Sequence, residues 1–144
     1  MSVDETRSRI KEIIDNLYTN IPSGLGSRRK DLKLSKDELK RVLKKGAGWA
    51  VEKGYGTQED LTFIEDGGHL DYADPDTVSD RAYERGKDQL GTLGSGNHFV
   101  EVGFIQEVYD AHKAENFGLF EGQLTIMIHT GSRGLGYQVC DDNI

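Results

Sequence analysis

The chain has 144 residues, of which 35% are hydrophobic and 30% charged, and its formal net charge is −7. This composition is typical of a globular domain with its own core. No apolar run reaches membrane-spanning length, the first residues lack a signal peptide's apolar stretch, and the single cysteine, Cys140, excludes an internal disulfide. These features predict a cytoplasmic protein that makes no contact with a membrane.

The charge is unevenly distributed. Residues 1–60 hold 13 basic and 10 acidic side chains, whereas residues 61–144 hold 5 and 15. The basic residues at 28–30 lie in a predicted loop and are candidates for contact with RNA, while those of the following helix form a solvated face. The overall charge does not favour a general nucleic-acid-binding module.

Helical signals dominate the first 90 residues. Capping-box spacing at Ser2-Val3-Asp4-Glu5 and Ser35-Lys36-Asp37-Glu38 begins two amphipathic helices, and Asp74-Pro75 begins another. Gly46 and Gly48 weaken the second helix in its middle. The predicted elements are a helix ending near Asn20, a loop over 22–34, a helix over 36–53, a short helix from Thr57 that stops by Gly67-Gly68, and a helix over 75–88.

The pattern changes after Gly96. Alternating Val and Phe residues predict a strand over 98–108, and the continuous β-favouring run at 124–130 is typical of a strand buried on both faces. A further helix begins near Gly136, and the sequence then stops without a helix stop signal, as expected of a cut within a longer protein. Helices first and strands later predict an α+β fold, with 1–144 as a single segment that is mainly helical over 1–90 and carries strands and ligand loops over 91–144.

Two glycine-rich loops carry the chemistry. They are Gly94-Ser95-Gly96-Asn97-His98 and His129-Thr130-Gly131-Ser132-Arg133-Gly134. A histidine can ligate a metal, the loop amides can cradle phosphate, and an arginine supplies a fixed, fork-shaped cation. Tight turns with hydrogen-bonded structural histidines are the alternative. Neither loop has the Gly-Lys-Ser/Thr of a Walker motif, the G-x-G-x-x-G order of a dinucleotide site, or the G-x-S-x-G of a hydrolase.

Three blocks closely resemble the RtcB-type RNA ligases: residues 89–102, residues 129–136 and the Ile-Pro-Ser-Gly-Leu-Gly segment at 21–26. The resemblance implies an RtcB-like catalytic fold and an enzyme that joins RNA 3′-phosphate or 2′,3′-cyclic phosphate ends to 5′-hydroxyl ends. It also implies GTP and a two-metal Mn²⁺ site as cofactors, RNA from tRNA splicing or RNA repair as the substrate, and a possible accessory protein. In these enzymes GMP is first attached to a histidine and then passed to the RNA 3′-phosphate.

The resemblance also assigns roles to individual residues. It implies metal ligation by His98 and His129, nucleotide binding by Asn97, Phe99 and Glu101, and phosphate or RNA binding by Ser132 and Arg133. On an ideal strand Asn97, Phe99 and Glu101 share a face and His98 points to the other, so we expect irregular backbone at 97–98.

Several residues of the family's site have no match in this sequence. The aspartate and bridging cysteine belong to an upstream block, while a further metal histidine and the guanylated histidine lie downstream. Cys140 is expected to be a packed structural cysteine, and His69 and His112 to be surface residues. We therefore expect the chain alone to be inactive.

Two other functions remain open. One is a non-catalytic nucleotide- or RNA-binding module that uses the same loops. The other is a helical partner-binding domain with Trp49 and the basic helix as its interface.

Overall fold

The computed structural model describes residues 2–144, which divide into two compact units. The first unit comprises residues up to Ser27 and Gly91–Gly131, and the second comprises Arg28–Leu90 and Ser132–Ile144. Together they contain helices and one antiparallel strand pair, so the predicted α+β class with a helical first half is confirmed. The α-helices and strands are α1 (Val3–Ser8), α2 (Ile10–Asn20), α3 (Lys36–Lys45), α4 (Ala47–Glu52), α5 (Asp80–Gly86), β1 (Phe99–Phe104), α6 (Ala111–Asn116), β2 (Leu124–His129) and α7 (Arg133–Asp142).

Helix α1 of the first unit begins where the sequence predicts. The Ser2 hydroxyl accepts from the Glu5 amide at 3.2 Å and the Glu5 carboxylate accepts from the Ser2 amide at 2.7 Å, which completes the capping box of α1. The predicted helix is nevertheless interrupted at Arg9, whose φ of −109° and ψ of 11° are not helical. Two helices, α1 and α2, therefore replace the single helix that the apolar periodicity predicts. The sequence does not predict the break because no glycine or proline lies there.

The two strands of the first unit form an antiparallel ribbon. Phe99 pairs with His129 and Phe104 with Leu124, so β1 is shorter than the predicted strand over 98–108. The prediction that the second strand is buried on both faces is wrong for this chain: Ile126 is 65% exposed and Ile128 is 63% exposed. Within residues 2–144 only β1 pairs with β2, and a two-stranded ribbon cannot enclose both of its own faces.

Helix α6, in the same unit, is absent from the prediction. Its N-cap is Asp110, whose carboxylate accepts from the Lys113 amide at 3.0 Å. The capping residue was present in the sequence, but the helix that follows is only six residues long and lacks an apolar stripe by which to recognise it.

The second unit holds the buried apolar side chains. Its helices α3 and α4 replace the single helix predicted over 36–53, because Gly46 ends α3 with a φ of +53°. A Cβ at Gly46 would overlap the Gly68 carbonyl, so only glycine fits this corner. The buried apolar residues of the described chain are Leu32, Leu39, Trp49, Ala82 and Tyr83, all in this unit.

Trp49 belongs to this core and not to an exposed interface. It is 3% exposed, and its indole N–H donates to the Glu38 carboxylate at 3.2 Å. The partner-binding interpretation that used Trp49 as an interface residue is therefore wrong. The buried indole instead ties α4 to the first turn of α3.

The predicted helix over 75–88 is split into two elements. A 3₁₀ turn at Pro75–Thr77 precedes α5, and Ser79 caps α5 by accepting from the Ala82 amide at 3.1 Å. The Tyr83 side chain, 2% exposed, donates its hydroxyl to the Pro75 carbonyl at 2.7 Å. This bond fastens the 3₁₀ turn to α5, which in turn packs against α7.

Candidate functional site

Backbone hydrogen bonds hold the glycine-rich loop that precedes β1, within the first unit. The Leu93 amide donates to the Pro22 carbonyl at 2.9 Å, and the Gly24 amide donates to the Gly94 carbonyl at 2.6 Å. From the other side, the Thr130 hydroxyl donates to the Leu93 carbonyl at 2.6 Å. The three blocks that carry the family resemblance therefore meet here, since the loop lies between the 21–26 segment and the end of β2.

The 21–26 segment has an unusual backbone beside this loop. Gly24 and Gly26 have φ values of +91° and +75°, in the region that side chains with a Cβ rarely adopt. Beyond the two neighbouring residues, no atom lies within 4 Å of the position that a Cβ would take at either glycine. Leu25, between them, is 91% exposed. The glycines are therefore required by backbone handedness and not by lack of space.

The backbone at 97–98 is irregular, as predicted. Gly96 has a φ of +74°, a turn includes Asn97, and regular β1 pairing begins only at Phe99. Asn97 is exposed and His98 is half-buried. His98 thus lies outside the alternation of the strand and is not held to the face opposite Phe99.

The two predicted metal histidines lie close together. The ring centroids of His98 and His129 are 6.0 Å apart with an interplanar angle of 50°, and the Phe99 ring stacks on His129 at 5.5 Å and 9°. The Nδ1 atom of His98 is buried and has no hydrogen-bond partner in the described chain. A buried ring nitrogen without a partner is costly, and ligand binding would satisfy it.

Glu101 shares a sheet face with part of this cluster. Phe99 and Glu101 are two residues apart on β1, and His129 lies directly opposite Phe99. The Glu101 carboxylate leans towards Gly103, with one oxygen 3.5 Å from the position of a Cβ there. Phe99, Glu101 and His129 therefore line one face of the ribbon, and His98 approaches this face from its end.

The histidine pair fits part of a metal site and not a whole one. A ring nitrogen lies about 2.1 Å from a bound metal, so two rings whose centroids are 6.0 Å apart can contribute to one ion. No group of three or more His, Cys, Asp or Glu side chains suited to a metal occurs within residues 2–144. The described residues thus bring two imidazoles together, and divalent manganese accepts mixed nitrogen and oxygen ligands.

Ser132 and Arg133 belong to the second unit, where they begin α7. Arg133 has a φ of +52°, one of only two positive values among the non-glycine residues from 2 to 144. Ser132 occupies the N-cap but does not cap the helix through its side chain. The Gly134 amide instead donates to the Gln89 side-chain carbonyl at 2.8 Å. Gln89 thus contacts the backbone next to Ser132 and Arg133, the two predicted phosphate-binding residues. The sequence alone predicts no role for Gln89.

The basic residues at 28–30 are less suited to RNA contact than their sequence indicates. The Arg29 guanidinium donates to Asp31 at 2.9 Å, and this bond lowers the pKa of the Asp31 carboxyl. Arg28 lies 3.7 Å from the carboxylate of Asp88. Two of the three cations are thus already next to carboxylates of their own chain.

The remaining histidines and the cysteine lie on the surface. His69 bonds Asp71 at 3.1 Å and His112 is exposed, as predicted for both histidines. Cys140 is also exposed, so the prediction of a packed cysteine is wrong. Along α7 the buried position falls two residues earlier, at Gln138.

The profile of the family described as tRNA-splicing ligase RtcB matches residues 1–144. The chain belongs to this family. RtcB relatives from Thermococcus kodakarensis and Methanocaldococcus jannaschii are each 52% identical to the chain over 142 residues, which is 99% of the chain. The matched region is 29% of the first protein and 15% of the second. The relative from Nanoarchaeum equitans is 49% identical over 143 residues, again 99% of the chain and 30% of that protein.

The chain thus spans between 15% and 30% of the length of these RtcB relatives. The family match covers all three blocks that carry the resemblance, at 21–26, 89–102 and 129–136. Among the helices of residues 2–144, none is both long and apolar enough to cross a bilayer.

Proposed function

We propose that the chain forms part of a GTP- and Mn²⁺-dependent RNA ligase, which joins RNA 3′-phosphate or 2′,3′-cyclic phosphate ends to 5′-hydroxyl ends. The observation that carries this proposal is the placement of His98 and His129, whose rings lie 6.0 Å apart beside two glycine-rich loops. The name shared by the relatives, tRNA-splicing ligase, supports the same activity.

In this proposal His98 and His129 hold one or both metal ions, together with ligands from outside the chain. Manganese supplies Lewis-acid stabilisation of phosphoryl oxygens when it is bound. The buried Nδ1 atom of His98 supports a ligand-binding role, because no protein group satisfies it among the described residues. Two neutral imidazoles are suitable ligands for such an ion.

The nucleotide is bound by residues of the same unit. Asn97 is exposed and can donate to a phosphate oxygen. Phe99 is 39% exposed and one face of its ring stacks on His129, so we assign the guanine to the opposite face. The Glu101 carboxylate accepts from the two N–H groups on the Watson–Crick edge of guanine, an arrangement of donors that adenine lacks.

Phosphate binding is assigned to Ser132 and Arg133. Phosphoryl transfer depends on positioning and positive charge more than on covalent help, except at the nucleophile. A guanidinium meets both needs, because its planar fork binds two phosphate oxygens at once. The left-handed backbone of Arg133 supports this role, since strained residues concentrate at functional sites.

The histidine assignment is tested in the full-length protein with His98→Ala and His129→Ala. Each change is expected to abolish ligation and to weaken Mn²⁺ binding measured by electron paramagnetic resonance, while circular dichroism stays unchanged. His112→Ala is the matched control, because His112 is an exposed histidine in α6 and belongs to neither loop. Near-normal ligation by either of the first two variants would contradict the proposal.

The chain alone is expected not to form a covalent bond with GMP. Labelled GTP and Mn²⁺ should leave no stable label on it, because the guanylated histidine of the family has no counterpart in this sequence. Tight GTP binding by the chain that does not require Mn²⁺ would instead favour a non-catalytic nucleotide-binding module.

A further inference from the structure

The first turn of α7 donates a hydrogen bond to a side chain outside its own helix. The first amides of a helix lack partners within it, and Ser132 does not cap them through its side chain. The Gln89 side-chain carbonyl accepts from the Gly134 amide at 2.8 Å. Gln89 follows α5 by three residues, so a residue 45 positions away supplies this contact.

Close packing around Gly134 leaves little freedom for this contact to shift. A Cβ at Gly134 would lie 2.9 Å from the Gln89 carbonyl oxygen and 3.0 Å from the Arg85 carbonyl oxygen. Two residues further along α7, a Cβ at Gly136 would overlap the Ser132 hydroxyl. The start of α7 is therefore held against the end of α5, with the Ser132 side chain folded over its own helix.

Arg133 lies between these fixed points in a conformation that costs free energy. A φ of +52° is unfavourable for a residue with a Cβ and persists only where the surroundings impose it. The hydrogen bond from the next residue to Gln89 fixes the peptide that joins Arg133 to Gly134. Loss of that bond removes one restraint on this peptide, so the direction of the guanidinium is less tightly defined.

We propose that Gln89 is a positioning residue that holds the backbone of Arg133 and Gly134, and thereby directs the Arg133 guanidinium at the substrate phosphate. This inference rests on the phosphate-binding role proposed for Arg133. Gln89 itself touches no reacting atom in this scheme. Its effect on the reaction passes entirely through the peptide that follows Arg133.

The test compares Gln89→Leu and Gln89→Asn with Arg133→Ala in the full-length protein. Leucine removes the acceptor, and asparagine, one methylene shorter, draws it away from the Gly134 amide. The KM values for an RNA with a 3′-phosphate and for GTP are measured separately. We expect the KM that rises in Arg133→Ala to rise about tenfold in both Gln89 variants, with kcat changed less.

Two further variants separate positioning from simple stabilisation of the helix pair. In Gln89→Leu combined with Arg133→Ala, the KM should equal that of Arg133→Ala alone, since Gln89 acts only through Arg133. Ser79→Ala is the control for stability: it removes the cap of α5 and the hydrogen bond between Ser79 and Asp142 at the other end of α7, and leaves the Gln89 acceptor in place. It should lower stability and leave both KM values unchanged.

The failures of the two proposals are distinguishable. If Arg133→Ala leaves both KM values unchanged, the phosphate-binding role of Arg133 is overturned, and the role of Gln89 with it. If Arg133→Ala raises a KM but both Gln89 variants do not, or if the effects add in the double variant, only the positioning role is overturned. An effect of Ser79→Ala equal to that of Gln89→Leu would also reject it.

Discussion

The contact between α5 and α7 predicts opposite effects for two glycine-to-alanine substitutions in the second unit. Gly86 is buried at this contact, and a Cβ there would lie 2.7 Å from the Cβ and 3.0 Å from the Cδ1 of Leu135. At Gly48, within α4, no atom beyond its neighbours and its own helix backbone lies within 4 Å of the same position. Both residues are helical, so alanine gains the same intrinsic helix propensity at each site.

The magnitudes follow from two opposing contributions. Replacing a helical glycine by alanine stabilises a helix by about 0.5–1 kcal/mol. Overpacking a close contact costs about 1–3 kcal/mol, because side chains or backbone must shift. We therefore expect Gly48→Ala to raise the free energy of unfolding by about 0.5–1 kcal/mol, and Gly86→Ala to lower it by about 1–2 kcal/mol.

Urea denaturation followed by circular dichroism measures both effects, provided that the slope of the transition stays constant among the variants. Introducing Gly86→Ala into a Leu135→Ala background provides the control. Removal of the leucine side chain beyond Cβ relieves the contact with its Cδ1, so the cost of the added methyl should fall. If Gly86→Ala is as stable as Gly48→Ala, the close approach of α5 and α7 is refuted.

Two further changes test the polar contacts of the same unit. Tyr83→Phe removes the hydroxyl that donates to Pro75, and this loss should lower the free energy of unfolding by about 1 kcal/mol in a urea titration. Hydrogen bonds from Ser79 and Gln138 lower the pKa of Asp142, so their contribution is present above the ordinary aspartate pKa and lost as pH falls through the lowered value. The urea midpoint should therefore fall on acidification below about pH 4, and Ser79→Ala should reduce this acid-dependent part.

The local signals of the sequence predict a good part of this fold. The capping serines at positions 2 and 35 begin helices as expected, and Gly46 interrupts the helix that it was predicted to weaken. The irregular backbone at 97–98 follows from the glycines before it. In each case the information is short-range, since a side-chain oxygen caps the nearby amides or a missing Cβ permits a left-handed residue.

Other features depend on contacts that the local pattern does not contain. The apolar run of β2 shows that both faces of the strand favour burial, but it does not say what covers them. The interruption at Arg9 and the new cap at Ser79 likewise occur without a glycine or proline at either position. The apolar periodicity alone therefore predicts one continuous helix in each of two places where the structure has two separate elements.

The candidate site shows the same division. The sequence identifies the two glycine-rich loops, and the structure adds the ring distance between His98 and His129 and the stacking of Phe99. Gln89 is the residue that sequence reasoning missed. It stands at the start of the 89–102 block, but its partner, Gly134, is far away in sequence, so only the structure reveals the contact.

Gly24 and Gly26 are suitable positions for a D-amino acid introduced by chemical synthesis. Their positive φ values are those that the mirror-image amino acids prefer. No distant atom crowds an L-residue's Cβ at either position, so backbone handedness is the obstacle to L-alanine. D-alanine introduced at either site by peptide ligation would keep the observed backbone and restrict the unfolded chain, whereas L-alanine would oppose that backbone. Stereochemistry alone, at a single carbon atom, separates a stabilising methyl group from a disruptive one in this loop.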